Sequence, residues 1–431
     1  MSAHVDSSGG QTARPVASFE RVQIIDSLRG LALLGILLVN IQLFSNPIQA
    51  AAWSAEAAPA FGDRVSGWVV RFLAQGKFYS LFSLLFGVGL TIQMRRAERK
   101  GVSFVPLYLR RLVVLAAIGL AHALFLWTGD ILTLYAVLGF ALIPYRKARP
   151  RTLLIWAASL LSVSILINVF SLALLEIGGS GLAQHTDHIL SQQEAQARVE
   201  AERARQVYST GGLAEITAQR AHDLYFMAFA NLSISPNVFA MFLIGVYFGR
   251  RQIFQRVDEN LSLLRKLAWG GLAIGVPCNL AFAELGGSAS PTGPWAALLA
   301  AKIAETIGGA AFCLSYLAAL LLVARRAGWQ KRVGLLAPTG QMALSNYLLQ
   351  SVTCTLIFYG YGLGLFGKVG TGAGVLLALG VFLGQVVLSS WWMQRCSIGP
   401  AEWVWRSLTY LQMQPMVKRR AFADQLGDLP R

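Results

Sequence analysis

Apolar stretches of roughly 15–30 residues recur about ten times along this chain between short polar loops, and ~20 apolar residues suffice to cross the hydrocarbon core as a helix. Inside lipid only helices and closed barrels satisfy every backbone N–H and C=O. The alternating strands of about ten residues that mark a barrel are missing. The pattern therefore predicts an all-α, polytopic helical membrane protein. Its spans fall at 28–45, 68–93, 107–127, 130–144, 152–176, 236–249 with a lead-in from 224, 267–285, 295–323, 336–362 and 373–393. The fourth is short, ends at Pro144, and has to tilt little or sit where the bilayer is thin. No internal repeat is visible, so the inverted-repeat plan of many transporters gains no support.

Charge refines this reading. Basic clusters stand at the ends of apolar runs: Arg95, Arg96, Arg99 and Lys100; Arg146, Lys147, Arg149 and Arg151; Arg250, Arg251 and Arg256; Arg325, Arg326, Lys331 and Arg332; Lys418, Arg419 and Arg420. A cytoplasmic N-terminus places all five on the cytoplasmic side, as the positive-inside bias requires. The opposite loops carry Glu56 and Asp63, then Asp130, then the segment 176–223, then Glu284. That segment has seven carboxylates against four arginines, net −3. The organisation expected is a polar cytoplasmic tail over 1–20, a membrane domain over 21–411, and a basic cytoplasmic tail over 412–431. Within the membrane domain, 177–223 reads as an outward helical hairpin between helices five and six. Ser191-x-x-Glu194 resembles a capping box opening a helix through about Tyr208, and Gly211-Gly212 breaks it before the sixth span. The first apolar run reads as an uncleaved signal anchor, because no cleavable pattern precedes it. Trp391, Trp392, Trp403 and Trp405 fit an interfacial aromatic belt.

Composition agrees: 55% of residues are hydrophobic, 13% are charged, and the mean hydropathy is +0.53. The formal net charge of +16 raises nucleic acid as a partner, but the contiguous soluble basic surface such binding needs is missing. Cys278, Cys313, Cys354 and Cys396 form no CxxC, which signals neither zinc nor a disulfide framework. His185 and His188 flank Asp187 without a further placed ligand, so no metal site is expected. The Gly-x-Gly string of 360–364 lies at a span end, outside any strand-turn-helix context, and a dinucleotide reading fails.

Five spaced motifs carry more information: Ile25-Asp26-Ser27-Leu28-Arg29-Gly30 running to Asn40-Ile41; Gly119-Leu120-Ala121-His122 followed by Gly129-Asp130-Ile131-Leu132; Tyr208 through Glu215 with Arg220; Gly340-Gln341-Met342-Ala343-Leu344-Ser345-Asn346-Tyr347-Leu348-Leu349-Gln350-Ser351; and Gly399 through Tyr410. With these, residues 20–411 resemble the YeiB-like bacterial inner-membrane proteins (domain of unknown function 418). The resemblance implies a multi-pass protein of the bacterial inner (plasma) membrane. The Asp-x-x-Arg-Gly opening is also similar to the broader transmembrane acyltransferase superfamily, which includes the acyltransferase-3 proteins and lysosomal heparan-α-glucosaminide acetyltransferase. Those relatives pass an acyl group from cytosolic acyl-CoA to an acceptor across the membrane. Acyltransferase-3 proteins place a His eleven residues after the first-span Arg, where this chain has Asn40. The lysosomal relative matches that Asn but carries a His in its first luminal loop, and residues 45–66 here contain none. Neither histidine carries over.

The intramembrane polar residues sort into two layers. A charge near the bilayer centre costs roughly 2.5–3.5 kcal/mol on insertion scales, so each needs a partner or a wet cavity. The inner layer is Asp26 and Arg29, Arg110 and Arg111, and Glu402 and Arg406. Asp26 and Arg29, three apart, share a helix face. Arg forks suit the phosphates of a CoA-like donor, which makes Asp26, Arg29, Arg110 and Arg111 the donor-binding candidates. They also fit interface anchors that snorkel and pair. The outer layer is Asn40, His122, Asp130, Lys302 and Glu305. His122 is the general-base candidate because imidazole titrates near neutrality; Asp130 or Glu305 would orient it, and Asn40 would stabilise an oxyanion or position substrate. The plainer reading of His122 is a core histidine bonded between helices beside Gly119. Arg111-x10-His122 repeats the acyltransferase spacing on another helix, yet the pair lies ~16 Å apart along it and cannot touch. Lys302 and Glu305 neutralise each other or line an outward cavity with His122. Asn346, Tyr347 and Gln350 suit interhelical hydrogen bonds.

The function expected is acyl transfer from cytosolic acyl-CoA to an envelope or small-molecule acceptor, with no tightly bound cofactor and acyl-CoA as co-substrate. The rival is a transporter or flippase for a small or lipid-linked solute. A third reading is a scaffold whose outer hairpin recruits an envelope partner.

Overall fold

The computed structural model describes residues 18–49, 60–177, 179–286, 295–326 and 328–418. Regular structure among them is helical: α1 Ser18–Ser45, α2 Phe61–Leu73, α3 Phe78–Arg99, α4 Phe104–Phe125, α5 Leu132–Leu142, α6 Pro150–Ile177, α7 Gly179–Thr210, α8 Leu213–Arg250, α9 Leu261–Leu285, α10 Trp295–Ala324, α11 Trp329–Gly334, α12 Ala337–Gln341, α13 Ala343–Phe358, α14 Thr371–Arg395 and α15 Pro400–Tyr410. Eight helices among the described residues are long and apolar enough to cross a membrane, with α2 and α3 counted as one stretch, Phe61–Arg99.

Two expected spans are shorter than the hydropathy suggests. The fourth is α5, whose 11 residues reach ~16 Å of a ~30 Å core before a 3₁₀ turn at Ile143–Lys147. The ninth is split into α12 and the 16-residue α13 by Met342, whose φ of −102° and ψ of 35° leave the helical region. Hydropathy counts side chains; a backbone break inside an apolar run does not register in it.

The bundle is held at close quarters where α3 crosses α8. A Cβ on Gly245 would lie 2.0 Å from the Leu84 carbonyl oxygen, and one on Gly87 would lie 2.1 Å from that of Phe242. The two backbones touch there, the use of small residues expected where lipid offers no hydrophobic drive between helices. Phe86 stacks on Phe242 beside this crossing, centroids 4.6 Å apart. A second apolar cluster joins α1, α4 and α5 to α13 and α14, and Asn346 and Gln350 reach across it. Asn346 Nδ2 donates to Ser389 Oγ at 2.9 Å, and Gln350 Nε2 to Gln385 Oε1 at 3.0 Å.

At one end the basic loops meet: Arg95 donates to the Gly249 carbonyl, Arg250 to that of Ala148, and Arg325 pairs with Asp258. Residues 412–418 fold back there, with the Lys418 N–H on the Arg395 carbonyl at 3.1 Å; residues 1–17 and 419–431 of the two expected tails lie outside the described residues. At the other end α7 and α8 meet at Gly211-Gly212, where the Gly212 N–H donates to Glu215 Oε2 at 3.0 Å. Helix α7 starts upstream of Ser191, whose hydroxyl donates to the His188 carbonyl instead of capping, while Glu194 pairs with Arg198 one turn on. A Ser-x-x-Glu sequence serves either arrangement, because serine back-bonds within a continuing helix.

This end is fastened by buried charge. Asp223 accepts from Tyr208 Oη at 2.7 Å, Gln49 Nε2 at 2.9 Å and Gln219 Nε2 at 3.0 Å. Arg220 donates to the Phe125 carbonyl at 2.8 Å and to Tyr361 Oη at 2.9 Å.

Replacing Gly245 with Val forces the α3–α8 crossing apart. Overpacking of this kind costs about 1–3 kcal/mol, so Gly245→Val should lower the thermal midpoint of the detergent-purified protein. An unchanged midpoint would contradict the backbone contact.

Candidate functional site

Helices α1, α3, α4, α5, α12, α13 and α15 enclose a cavity of about 170 Å³. Its mouth is cationic because three separate elements each deliver an arginine: Arg29 from α1, Arg111 from α4 and Arg406 from α15. Arg29 Nη1 donates to Asp26 Oδ1 at 2.9 Å, one helical turn back. Arg111 lies over the Trp405 ring, 3.6 Å from its centroid, and the Trp405 indole N–H donates to the Arg111 carbonyl at 2.9 Å. The guanidinium is thus held against an aromatic face and makes no side-chain hydrogen bond among the described residues, an arrangement suited to phosphate. Glu402 also lines the cavity, but its carboxylate caps α13. It accepts the N–H groups of Leu344 at 2.6 Å and Ser345 at 3.1 Å, and the Ser345 hydroxyl. The N-terminal donors of a helix attract such a charge. Among the described residues no carboxylate comes within ion-pairing distance of Arg111 or Arg406. The walls below are apolar, with Leu33, Phe86, Leu112, Leu115 and Leu132 among them.

Tyr347 lines the far part of the cavity, and its ring stands 5.1 Å from that of His122. His122 is 1% exposed. Its Nδ1 lies 3.0 Å from Asp130 Oδ1, and its Nε2 lies 2.8 Å from Ser351 Oγ. Asp130 Oδ2 accepts the Thr133 N–H at 2.8 Å. With Nδ1–H donated to Asp130, the neutral ring presents its Nε2 lone pair to the Ser351 hydroxyl. Gly119 lets this loop approach α4: a Cβ there would lie 2.6 Å from Thr133 N and 2.9 Å from Asp130 Oδ2. The result is a base oriented by a buried acid and aimed at a hydroxyl.

The predicted residues divide. Asp26, Arg29 and Arg111 gather at the mouth, while exposed Arg110 turns to the Thr409 carbonyl at 3.2 Å, off the cavity lining. His122 and Asp130 pair directly. Asn40 lies on α1, outside both the cavity lining and the hydrogen bonds of His122. Glu305 belongs to another cluster, facing Lys302 at 3.3 Å and Gln75 at 3.5 Å. Orientation of the histidine therefore falls to Asp130. Ser351 had only its place in the Asn346–Ser351 run as a signal, since a serine in an apolar helix is ordinarily back-bonded. No group of three His, Cys, Asp or Glu among the described residues could hold a metal; the side chains of His185 and Asp187 lie outside them.

Fold and site define a helical membrane protein with an arginine-mouthed cavity backed by a buried Asp–His–Ser chain. Residues 248–412 match the family described as "Protein of unknown function (DUF418)". The chain is 35% identical to the uncharacterized protein YxaH of Bacillus subtilis (strain 168), over 94% of this chain and 98% of that one. It is 28% identical to the uncharacterized protein YeiB of Escherichia coli (strain K12), over 93% and 99%. This chain belongs to the DUF418 family of YeiB-like proteins. No solved structure matches it.

Glu402→Ala strips the first N–H groups of α13 of their acceptor. Leaving such groups unsatisfied costs about 1–3 kcal/mol, so its thermal midpoint should fall while Glu402→Gln, which keeps one acceptor oxygen, falls less. Equal midpoints for all three proteins would remove Glu402 as the cap.

Proposed function

We propose that the protein transfers an acyl group from a coenzyme A thioester, received at the arginine mouth, to a hydroxyl or amine acceptor reached from the opposite end. His122 is the general base and Asp130 its orienting partner. The observation that carries this reading is one cavity with three arginines at its mouth and Tyr347, in contact with His122, at its far wall.

Arg111 and His122 lie ~16 Å apart along α4. A donor must therefore hold its charge and its reactive carbonyl at the two ends of a long arm, as a coenzyme A thioester does. Guanidinium forks take the phosphates. The apolar walls suit a short acyl chain, since a dry cavity of about 150 Å³ already admits benzene. The basic clusters at the same end support a cytoplasmic mouth through the positive-inside bias, and with it residence in the bacterial inner membrane.

Binding of acetyl-CoA and longer acyl-CoAs to the purified protein in detergent tests this. Loss of a charge-assisted contact costs about 1.5–3 kcal/mol, so Arg29→Ala and Arg111→Ala should each weaken binding roughly tenfold to a hundredfold. His122→Ala should bind donor and fail to transfer. No binding by a folded wild type would overturn the donor, and uptake into proteoliposomes without an altered product would replace transfer by transport.

A further inference from the structure

Ser351, His122 and Asp130 come from three elements, α13, α4 and the loop before α5, and are 1%, 1% and 3% exposed. Their order is hydroxyl to Nε2, then Nδ1 to carboxylate, at 2.8 and 3.0 Å. A serine that merely joined two helices would not need this order. Here the contacts are ordered: Asp130 takes the Nδ1–H, its other oxygen is fixed by the Thr133 N–H, and Nε2 faces the serine hydroxyl as its shorter contact. The alternative acceptor for Ser351, the Tyr347 carbonyl one turn back, is at 3.4 Å and the weaker of the two. The packing of α13 on α14 uses Asn346 and Gln350 and does not call on Ser351.

We infer that Ser351 is a nucleophile that carries the acyl group as a serine ester between donor and acceptor. The inference rests on the acyl-transfer reading and adds to it a covalent intermediate. Ser351 Oγ attacks the thioester carbonyl as His122 Nε2 takes its proton. The C–S bond then breaks, and the coenzyme A thiolate leaves with that proton. The acceptor hydroxyl or amine attacks the serine ester, His122 takes its proton, and the ester C–O bond breaks as the proton returns to Ser351. No oxidant or metal is required, and the same oriented arrangement serves acyl transfer on unrelated folds. Thr133 Oγ1, buried without a hydrogen-bond partner among the described residues, offers a hydroxyl donor beside Asp130. Tyr347 stands one turn before Ser351 and lines the cavity, so rotation of its side chain opens the way from the donor to the serine.

The test treats the full-length protein in detergent with an alkyl fluorophosphonate, which phosphonylates activated serines, and maps the adduct by peptide mass spectrometry. Wild type should be labelled at Ser351, Ser351→Ala should not be, and His122→Asn, compared on its folded fraction, should label at least tenfold more slowly. Absence of an adduct on Ser351 in the folded wild type would overturn the inference. So would acyl transfer by Ser351→Ala at the wild-type rate; if His122→Asn is then inactive, the general-base reading stands and only the covalent step falls. Labelling of Ser351 in a protein that binds no acyl-CoA would support the nucleophile and overturn the coenzyme A donor.

Discussion

Asp130 is held inside an apolar bundle by contacts on both of its oxygens, the His122 ring on one side and the Thr133 N–H on the other. Removing one partner of a buried pair costs about 3–5 kcal/mol, because the charge left behind has no water to return to. Much of the architecture near the site serves this contact. Gly119 lets the loop close on α4. The short α5 starts where the loop ends, and α13 supplies the serine that occupies the remaining nitrogen. Such a chain is satisfied at rest and still able to pass a proton along itself, which separates it from the Asn346–Ser389 and Gln350–Gln385 contacts beside it.

The arginine mouth obeys the opposite rule. Arg29 has Asp26, but Arg111 rests on an aromatic face and Arg406 on none of the carboxylates around it. Glu402, which lines the same cavity, is engaged by the start of α13. A cluster of like charge held this way is stable only beside water or an anion, and it stands at the opening of a cavity whose walls are apolar. Charge at one end, an apolar passage, and an oriented base behind the far wall are three separate features. Transfer of an acyl group from a charged donor uses all of them.

Much of this was legible in the sequence, for reasons that also mark its limits. Alternation of span direction put Arg29, Arg111, Glu402 and Arg406 in one layer and His122 with Asp130 in another, and the structure gathers the first set at one mouth and pairs the second. The depth of a residue follows from its place along its helix. Depth does not say which helices are neighbours, so Glu305 shared a depth with His122 yet faces Lys302 and Gln75, and Arg110, beside Arg111 in sequence, points off the cavity. Ser351 was hidden because its partner His122 lies 229 residues away in sequence, with no spacing to announce it. The break at Met342 is a backbone event inside an apolar run, to which hydropathy is blind, whereas the end of the fourth span was announced by Pro144.

The most direct test of the central claim is a cryo-electron microscopy map of the protein with a non-hydrolysable acyl-CoA thioether. Phosphate density on Arg29, Arg111 and Arg406, with the acyl end against Tyr347 and facing the His122–Ser351 wall, is the result the account predicts. An analogue bound elsewhere, or a cavity filled by a lipid that excludes it, would contradict the account.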